Sequence, residues 1–585
     1  MKRIVLDIET TLDHNTIWMV VTKDIDSGEV KVWKAADSLV AYLKDVTLII
    51  AQNGIGFDFP LLNKLWNTKI RLNQVYDTLI ASRLLDPSVE NGHSLDAWGT
   101  RLGKNKIDYA KVWTWLMERR EEYKGECFNI PHMALLEYYC IRDVEVTCDL
   151  YKHLNDKLDT FYELYNKELF PKRKHEKNKE CFELEHKVAA IIEEQTRNGF
   201  KLDQVYATCL LADIKGKMAG IYEQMQERWP PVVTPRFHKT SGKPIKDCVD
   251  TFNPGSRKQI GEKLMELGWK PTKMTPTGQP IVDETTLQDI KFSEGQIIAE
   301  YLMLQKRVAQ IESWLEAVGK DGRVHGKVIT NGAVTGRMTH SSPNMAQIPN
   351  AGSIYGPECR ECWTVETGNV LVGCDASGLE LRMLAHYMKD DNYVKTVTEG
   401  SSKDGTDVHT QNQKAAGLQT RDQAKTFIYA FLYGAGPAKI GSIVGGNAKA
   451  GQKLIDSFLA NTPALQRLRN TVSRYASKGF VPGLDGRKIW VRSEHAALNS
   501  LLQGAGAIVM KKALVLFHDK TKANKWPVKL VANVHDEFQL EVPKMYATIV
   551  GEAAKQSIVE AGEHFKLRCP LDGEFKIGAN WRETH

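Results

Sequence analysis

The sequence predicts a multidomain protein that combines an α/β unit with α+β units. Its 585 residues exceed what one hydrophobic core supports, so about three to five domains are expected. Strand-like and helix-like runs alternate up to about residue 155, which is typical of an α/β domain. Beyond that point long helical stretches and short strands are segregated, which favours α+β architecture.

Composition argues against several classes of protein. The net charge of +6 is compatible with a polyanionic partner, although a binding groove needs only local charge. Ten scattered cysteines in so long a chain do not form a disulfide scaffold, and they favour a reducing cytosol. The opening MKRIVLDIET is too short an apolar run for a secretory signal. No uninterrupted apolar stretch approaches the roughly 18 residues of a membrane span, so no membrane is expected as a partner.

The first elements follow the α/β rhythm. Strands are expected at 3–9 and 47–53, and a helix at 130–154. A basic stretch at 171–179 follows with five Lys or Arg residues, and we interpret it as a solvated linker rather than a DNA contact.

The later elements are mainly helical. Residues 183–317 predict helices, interrupted at 228–252 by a segment that contains proline and lysine. A strand is expected to run into a helix over 369–388, and helices are expected through most of 407–520. A strand pair at 529–543 then precedes the last helix.

Three short motifs in the first domain carry carboxylates. Asp7 and Glu9 of VLDIETT are two residues apart on a predicted strand, so both side chains leave the same face. Asp58 follows a turn that contains glycine, and Asp143 lies one helical turn after Tyr139. Acids on an apolar strand are costly unless a cation neutralises them, and hard oxygen ligands suit Mg²⁺ or Mn²⁺. Two such ions can promote phosphodiester hydrolysis.

The ordered set D-x-E, N-x-x-x-F-D and Y-x-x-x-D resembles the three exonuclease motifs of the DEDD superfamily, in its tyrosine subgroup. The resemblance implies an RNase H-like 3′→5′ exonuclease domain in which Tyr139 orients the attacking water. Its metal ligands would be Asp7, Glu9, Asp58 and Asp143. An inactive α/β domain with surface acids is the alternative.

A second set of carboxylates lies far along the chain. Asp375 ends the apolar strand NVLVGC, and Glu380 is expected one turn into the following helix. Asp536 and Glu537 fall at the expected turn of a β-hairpin, where aspartate is also ordinary turn chemistry. If this hairpin lies beside the strand that ends at Asp375, the two aspartates form a second metal site. Such a site could bind a nucleoside triphosphate and promote attack by a 3′-hydroxyl.

The stretch RDQAKTFIYAFLYGAG predicts a helix with an unusual face. Thr420 and Gln423 form a capping-box pattern at its start, and Gly434 supplies a stop. Steps of four residues keep two cations and two phenols on one face, namely Arg421, Lys425, Tyr429 and Tyr433. The cations suit triphosphate oxygens and the phenols suit a sugar and a base. An ordinary amphipathic helix whose cations cover apolar surface is the alternative.

These segments together resemble a known family. DASGLELR (375–382), RDQAKTFIYAFLYG (421–434) and VHDE (534–537) look like motifs A, B and C of family A DNA polymerases. Residues 330–349 and 483–507 are similar to the same group. Within the family, the likeness is to the replicative polymerases of short-tailed bacteriophages, and it spans nearly the whole chain. The resemblance implies a right-hand polymerase of thumb, palm and fingers after the exonuclease domain.

The resemblance also implies roles for individual residues. The polymerase metals, two Mg²⁺ as in the exonuclease site and replaceable by Mn²⁺, would be held by Asp375, Ala376 and Asp536. The incoming dNTP would meet Arg421, Lys425, Tyr429, Tyr433, His409 and Glu380. Of these, Glu380 would exclude a ribose 2′-hydroxyl and bond Tyr433. The minor groove of the primer–template would be contacted by Arg337, Gln347, Gln503 and His535.

The domain boundaries expected from these motifs are an exonuclease at 1–160, a basic linker at 161–185, a thumb at 186–320 with a short insertion near 230–252, a palm at 321–405 and 525–585, and fingers at 406–524. The implied function is replication of phage DNA with proofreading, in the cytoplasm of an infected bacterium. The implied partners are primer–template DNA, dNTPs and a replisome helicase–primase.

One departure concerns the thumb. The phage group that the sequence resembles carries a long thumb insertion that captures host thioredoxin as a processivity factor. The corresponding interruption here is short, and it offers little surface beside the roughly 800 Å² per partner of a standard interface. We therefore expect thioredoxin dependence to be absent or reduced.

Three other functions fit parts of the pattern. A repair exonuclease with a DNA-binding C-terminal half would leave Asp375 and Asp536 without metals. A single-subunit RNA polymerase shares the palm geometry, but the exonuclease motifs and Glu380 argue against it. A non-enzymatic DNA-binding or clamp-like protein would leave the placed acids, tyrosines and cations without a purpose.

Overall fold

The computed structural model describes the chain except for residues 1, 118–124, 170–179, 239, 272, 284–285, 288–289 and 291, and the side chains of 159–169. The basic stretch predicted at 171–179 lies outside the described residues. Two sheet-containing units carry most of the fold, and a long helical pair projects from the second unit.

The first unit is an α/β layer structure. Its strands are β1 Lys2–Thr10, β2 Ile17–Asp24, β3 Val30–Trp33, β4 Val46–Ala51 and β5 Val75–Asp77. Its helices are α1 Ala36–Leu43, α2 Asp58–Leu65, α3 Thr78–Leu85, α4 Leu95–Arg101, α5 Tyr109–Leu116 and α6 Met133–Leu169. The sheet order is β3-β2-β1-β4-β5, with β4 parallel to both β1 and β5. Because helices cover the sheet, β1 is mostly buried, and its acids lie near its C-terminal end.

A helical arm follows. Its elements are α7 Glu180–Asn198, β6 Phe200–Leu202, α8 Gln204–Arg228, β7 Val232–Phe237, β8 Pro244–Asp250, α9 Arg257–Glu266 and α10 Ser293–Glu316. Helices α8 and α10 pack along each other, and the hairpin β7–β8 lies in the predicted interruption with every residue exposed.

The second unit begins with short strands and a long central strand. These elements are β9 Arg323–Val324, β10 Lys327–Ile329, β11 Thr339–Ser341, α11 Gly356–Glu361, β12 Trp363–Thr364, β13 Asn369–Ala376 and α12 Leu379–Met388. A helical region follows with α13 Asp391–Glu399, α14 Val408–Ala416, α15 Arg421–Leu432, α16 Pro437–Ser442, α17 Ala448–Asn461 and α18 Pro463–Ala476. The chain then forms β14 Phe480–Pro482, β15 Lys488–Trp490, α19 Ala497–Ala523, β16 Lys529–Val534, β17 Glu537–Pro543, α20 Ala547–His564 and β18 Gly573–Gly578.

An antiparallel sheet organises the second unit. Its order is β16-β17-β13-β18, and helices α19 and α20 pack together behind it. Residues of α7 such as Leu184, Val188 and Ile192 belong to the same hydrophobic core as this sheet. The predicted start of the thumb at residue 186 falls inside α7, which packs with this sheet, and the boundary stays a prediction. The arm itself is formed by α8 to α10.

Two predictions need correction. Glu380 is the second residue of α12, so it lies at the start of the helix rather than one turn into it. The helical block predicted over 407–520 is interrupted by the hairpin β14–β15, whose short strands carry too little alternation to stand out in the sequence.

One helical segment, Glu494–Ala523, is long and apolar enough to cross a membrane, but 78% of its apolar window is buried in the fold. It has the burial of a core helix.

A buried ionic cluster joins α7 to the second unit. Arg487 contacts Glu185 at 2.5 Å and Asp485 at 2.6 Å, and Lys511 contacts Glu185 at 2.7 Å. All four side chains are at most 2% exposed. Removal of one member of such a cluster leaves an uncompensated buried charge.

We expect Glu185→Gln to lower the free energy of unfolding by about 3–5 kcal/mol, because it leaves Arg487 and Lys511 with a single acid. The matched control is Glu312→Gln, which breaks an exposed 2.6 Å ion pair with Lys215 and should cost less than about 1 kcal/mol. Urea denaturation followed by circular dichroism measures both variants. Equal effects of the two changes would contradict the prediction.

Candidate active sites

The structure brings the five predicted residues of the first unit to one place. Asp7 and Glu9 lie on β1, Asp58 begins α2, and Tyr139 and Asp143 lie one turn apart on α6, which packs across β1. The backbone N–H of Ile8 donates to Asp58 Oδ1 at 3.1 Å and so ties α2 to β1. Three of the four carboxylates are less than 10% exposed.

Burial and mutual repulsion raise the carboxyl pKa values here. Burial first, and then the charge of Asp143, raise the pKa of Asp7 to about 7. Burial followed by neighbouring carboxylates raises the pKa of Glu9 and of Asp58, and burial raises that of Asp143. A cluster of this kind is stable in its charged form only with added positive charge.

The donor set fits a hard divalent cation. Asp143 Oδ1 is buried and has no hydrogen-bond partner among the described residues, so it is free to bind an ion. Ligand atoms of Asp7, Glu9 and Cys140 lie within 4.8 Å of one another. The Cys140 thiol donates to Asp7 Oδ2 at 3.3 Å, and burial raises its pKa, so it is protonated and the carboxylates are the available ligands.

The second predicted site forms at the edge of the antiparallel sheet. The strand β13 pairs with β17, and Asp375 lies opposite Glu537. His535 and Asp536 form the two-residue turn of the hairpin β16–β17, and His535 adopts a left-handed φ of 58°. The Ala376 N–H donates to the Asp536 carbonyl at 3.1 Å. The predicted adjacency of Asp375 and Asp536 is therefore observed.

The two aspartates repel each other. Partial burial, followed by the charges of Asp536 and Glu537, raises the pKa of Asp375 to about 7. Burial also raises the pKa of Asp536. Glu537 is held apart from this pair, because its carboxylate accepts from Trp581 Nε1 at 2.5 Å and lies 2.9 Å from His585 Nδ1. Glu537 is buried, whereas Asp375 is exposed and Asp536 is partly exposed, so these two aspartates are the accessible acids of the pair of strands.

The helix α15 has the predicted start, stop and faces. Thr420 and Gln423 form the capping box, and Gly434 follows with φ of 76°. The buried face holds Ala424, Phe427, Ile428, Phe431 and Leu432. The opposite face holds Arg421, Lys425, Tyr429 and Tyr433, of which Lys425 and Tyr433 are exposed. The rings of Tyr429 and Tyr433 stack at 6.3 Å.

A hydrogen-bonded bridge connects the end of α15 to α12. The Tyr433 hydroxyl lies 2.8 Å from both carboxylate oxygens of Glu380, which is the contact that the resemblance implies. Arg337 Nη2 reaches the same carboxylate at 3.3 Å. The bridge fixes the end of α15 beside the start of α12.

The other end of α15 is held by an acid that the sequence analysis did not single out. Asp407 Oδ2 accepts from Arg421 Nη2 at 2.8 Å and from Nε at 3.1 Å. Although burial opposes it, hydrogen bonds from Arg421 and Thr410 lower the pKa of Asp407 to about 2. His409 lies nearby, with its ring 6.2 Å from that of Tyr429 and its Nδ1 buried without a partner among the described residues.

The four residues expected at the primer–template lie on different elements of the second unit. His535 is at the hairpin turn, where its residue surface is exposed. Partial burial of the imidazole, followed by the charge of Arg337, lowers the pKa of His535. Gln347 is exposed in a 3₁₀ turn, Met345–Gln347, that contacts β16, and Gln503 is partly exposed on α19. Arg337 and His535 are thus brought together beside Asp536.

Two residues near the sites gave no usable signal in the sequence. Asp407 also caps α14, so its acid looked like ordinary helix capping. Lys106 lies in the first site but belongs to a loop in a chain with 26% charged residues, and nothing in the sequence marked it.

Comparisons with known proteins agree with the whole-chain likeness. The model of DNA polymerase family A matches residues 234–583. A DNA-directed DNA polymerase of Enterobacteria phage T3 is 35% identical over 94% of both chains, and one of Escherichia phage T7 is 34% identical over the same shares.

A solved structure extends the likeness to the fold. The POL domain of Pol1 from M. smegmatis, in a complex with DNA primer-template and dNTP, aligns with a TM-score of 0.75 and 18% identity. The alignment covers 100% of this chain and 96% of that one. The predicted fold class is confirmed at the level of a multidomain polymerase.

Proposed function

The chain belongs to DNA polymerase family A, and from that premise we propose that it replicates DNA with proofreading. Synthesis is assigned to the site around Asp375 and Asp536, and removal of mispaired 3′ nucleotides to the site around Asp7. The observation that carries the proposal is that one chain holds two carboxylate clusters on different sheets, each with a carboxyl pKa raised to about 7. DNA-directed synthesis follows from the family, and proofreading is the proposed part.

In the polymerase site, α15 provides the groups that meet the nucleotide. Arg421 offers a guanidinium fork and Lys425 an ammonium to the triphosphate, with His409 beside them. Tyr429 and Tyr433 lie further along the same face, where sugar and base would lie. Glu380, held by Tyr433, would fill the space that a ribose 2′-hydroxyl needs.

Nucleotide addition then follows ordinary phosphoryl-transfer chemistry. The primer 3′-oxygen attacks the α-phosphorus, the bond to the β-phosphate oxygen breaks, and pyrophosphate leaves. Asp375, Asp536 and Ala376 would hold divalent cations, which supply charge that lowers the pKa of the 3′-hydroxyl and neutralises the triphosphate. We propose two Mg²⁺ in each site, with Mn²⁺ able to substitute, because the donors are hard oxygens.

The exonuclease site would hydrolyse the terminal phosphodiester. A water oxygen attacks the phosphorus, the bond to the preceding 3′-oxygen breaks, and a nucleoside monophosphate leaves while that oxygen takes a proton. Asp7, Glu9, Asp58 and Asp143 would hold the cations, and Tyr139 would orient the water. The raised pKa of Asp7 and the unpartnered Asp143 Oδ1 support a cation there.

Primer–template DNA and dNTPs are the proposed ligands, as in the complex of the M. smegmatis domain. Arg337, Gln347, Gln503 and His535 would contact minor-groove acceptors, which differ little between base pairs and so report pair shape without sequence. We assign the exonuclease to 1–160, the thumb to α8–α10, and palm and fingers to the remainder after residue 320. The relatives in phages support action in the cytoplasm of an infected bacterium. A helicase–primase is a further proposed partner.

A labelled primer–template on a denaturing gel tests the two activities together. With Mg²⁺ alone the primer should shorten, and with Mg²⁺ and dNTPs it should extend. If the primer were extended with dNTPs but never shortened without them, the proposed proofreading activity would be contradicted.

Thioredoxin should stimulate primer extension less than about twofold, because the insertion offers far less than a standard interface of about 800 Å² per partner. The insertion forms only the exposed hairpin β7–β8, with strands of 6 and 7 residues. Product length with and without host thioredoxin measures the effect, and an unrelated protein of equal size is the control. Stimulation of tenfold or more, or co-elution of the two proteins, would contradict the prediction.

A further inference from the structure

A lysine reaches into the proposed exonuclease site from outside the three motifs. Lys106 lies in the loop between α4 and α5, and its Nζ is 2.5 Å from Asp143 Oδ2. The same Nζ is 3.1 Å from the Tyr139 hydroxyl and 4.9 Å from the centre of the Tyr139 ring. The Lys106 side chain is 17% exposed, so the contact is largely shielded from water. Both partners of Lys106 are therefore residues of the site.

A neighbouring lysine shows what an ordinary ion pair in this loop looks like. Lys104 contacts Asp149 at 2.8 Å on the outer side of α6, with 29% of its side chain exposed. Asp149 belongs to none of the motifs. Lys104 therefore attaches the loop to α6. A second ion pair from Lys106 is not needed merely to hold the loop on the helix.

Hydrogen-bond chemistry determines what Lys106 does to Tyr139. An ammonium has three hydrogens and no acceptor, so the phenol oxygen must accept from it. With that lone pair occupied, the phenol hydrogen can point to the Asp143 carboxylate, with which Tyr139 interacts, or to a water bound beside it. Asp143 Oδ2 anchors the ammonium, while Oδ1 of the same carboxylate remains without a partner among the described residues. The arrangement thus leaves one oxygen of Asp143 for a cation and fixes the rotation of the phenol.

We propose that Lys106 is a positioning residue of the exonuclease site, which acts by holding the Tyr139 hydroxyl in the orientation that directs its hydrogen to the attacking water. The proposal rests on the exonuclease function proposed above. Its expected signature is a loss in the rate of hydrolysis without a loss in substrate affinity. A lysine that touched the DNA phosphate would change affinity instead.

The test uses the full chain and a 5′-labelled single-stranded oligonucleotide with enzyme in excess and saturating Mg²⁺. Lys106→Met should slow hydrolysis about 10²-fold, the scale of a lost contribution to proton handling. Fluorescence anisotropy of the same oligonucleotide in EDTA should give a Kd within about threefold of the wild type, because Lys106 does not touch the substrate. Lys104→Met is the matched control and should hydrolyse at the wild-type rate.

A double variant separates positioning from other roles. Because Lys106 acts through the phenol, Lys106→Met in a Tyr139→Phe background should be within about threefold of Tyr139→Phe alone. Lys106→Arg, which keeps a charged donor, should retain activity within about tenfold. If the Lys106→Met variant does not fold, the Lys106→Arg variant provides the test instead. Any slowing of hydrolysis by Lys106→Arg should then disappear when Tyr139 is also changed to Phe.

Three results would overturn the proposal. They are wild-type hydrolysis by Lys106→Met, a loss of oligonucleotide affinity in proportion to the loss of rate, and independent effects of Lys106 and Tyr139. Failure of the exonuclease function itself is distinguishable, because the wild type would then shorten the oligonucleotide no faster than Asp7→Ala.

Discussion

Asp536→Ala will abolish primer extension, with a loss of at least about 10³-fold, while shortening of the same primer continues. Asp536 is one of the two acids assigned to the polymerase site, and it lies beside Asp375 because the hairpin turn bonds to Ala376. Without it, one proposed cation ligand and one of the local negative charges would be lost. The exonuclease cluster lies on another sheet and should not respond.

The measurement is single-turnover extension of a labelled primer by one nucleotide, with shortening followed in parallel without dNTPs. Glu560→Ala is the control, because Glu560 forms a partly exposed 2.8 Å ion pair with Lys520 behind the same sheet. That variant should extend primers normally. Normal extension by Asp536→Ala would mean that the palm site is assigned to the wrong acids.

Asp7→Ala should have the opposite effect, with shortening reduced at least about 10³-fold and extension unchanged. Asp7 lies centrally in the first cluster. Burial is the main cause of the raised pKa values of Glu9 and Asp58, and the charge of Asp7 is the second cause for both. Its loss would remove one of the proposed cation ligands of this site. Extension is assigned by the proposal to the second cluster, so it should not need these residues.

Shortening of a single-stranded oligonucleotide in the absence of dNTPs measures this effect. Asp13→Ala is the control, because Asp13 follows the same strand but bonds only to Thr11 and Asn15 in an exposed loop. Both activities should survive that change. If Asp7→Ala still shortened the oligonucleotide at the wild-type rate, the motifs of the first unit would not form a nuclease site.

The parts of the sites that depend on local periodicity could be predicted from the sequence. Two-residue spacing placed Asp7 and Glu9 on one face of β1, and four-residue spacing placed Arg421 to Tyr433 on one face of α15. The capping box at Thr420 marked the start of α15 correctly. These features are determined by backbone geometry within a few residues, and so they are visible in a linear pattern.

Contacts between distant segments could not be predicted in the same way. Lys106 reaches Tyr139 and Asp143 across 33 residues and more, and no spacing rule connects a loop lysine to a helix in this way. The packing of α7 could not be predicted for a related reason. Its apolar stripe fits either neighbour, and only the fold shows that Leu184 and Val188 pack with the sheet of the second unit. Packing choices of this kind depend on the whole chain.

A primer with a mismatched 3′ end, incubated with Mg²⁺ and dNTPs, tests most directly whether one chain holds two independent sites. The wild type should remove the mismatched nucleotide and then extend the primer. Asp7→Ala alone should extend it poorly, and Asp536→Ala alone should only shorten it, but a mixture of the two variants should restore corrected, full-length product. If the mixture fails, or if either variant lacks both activities, the two-site account is contradicted.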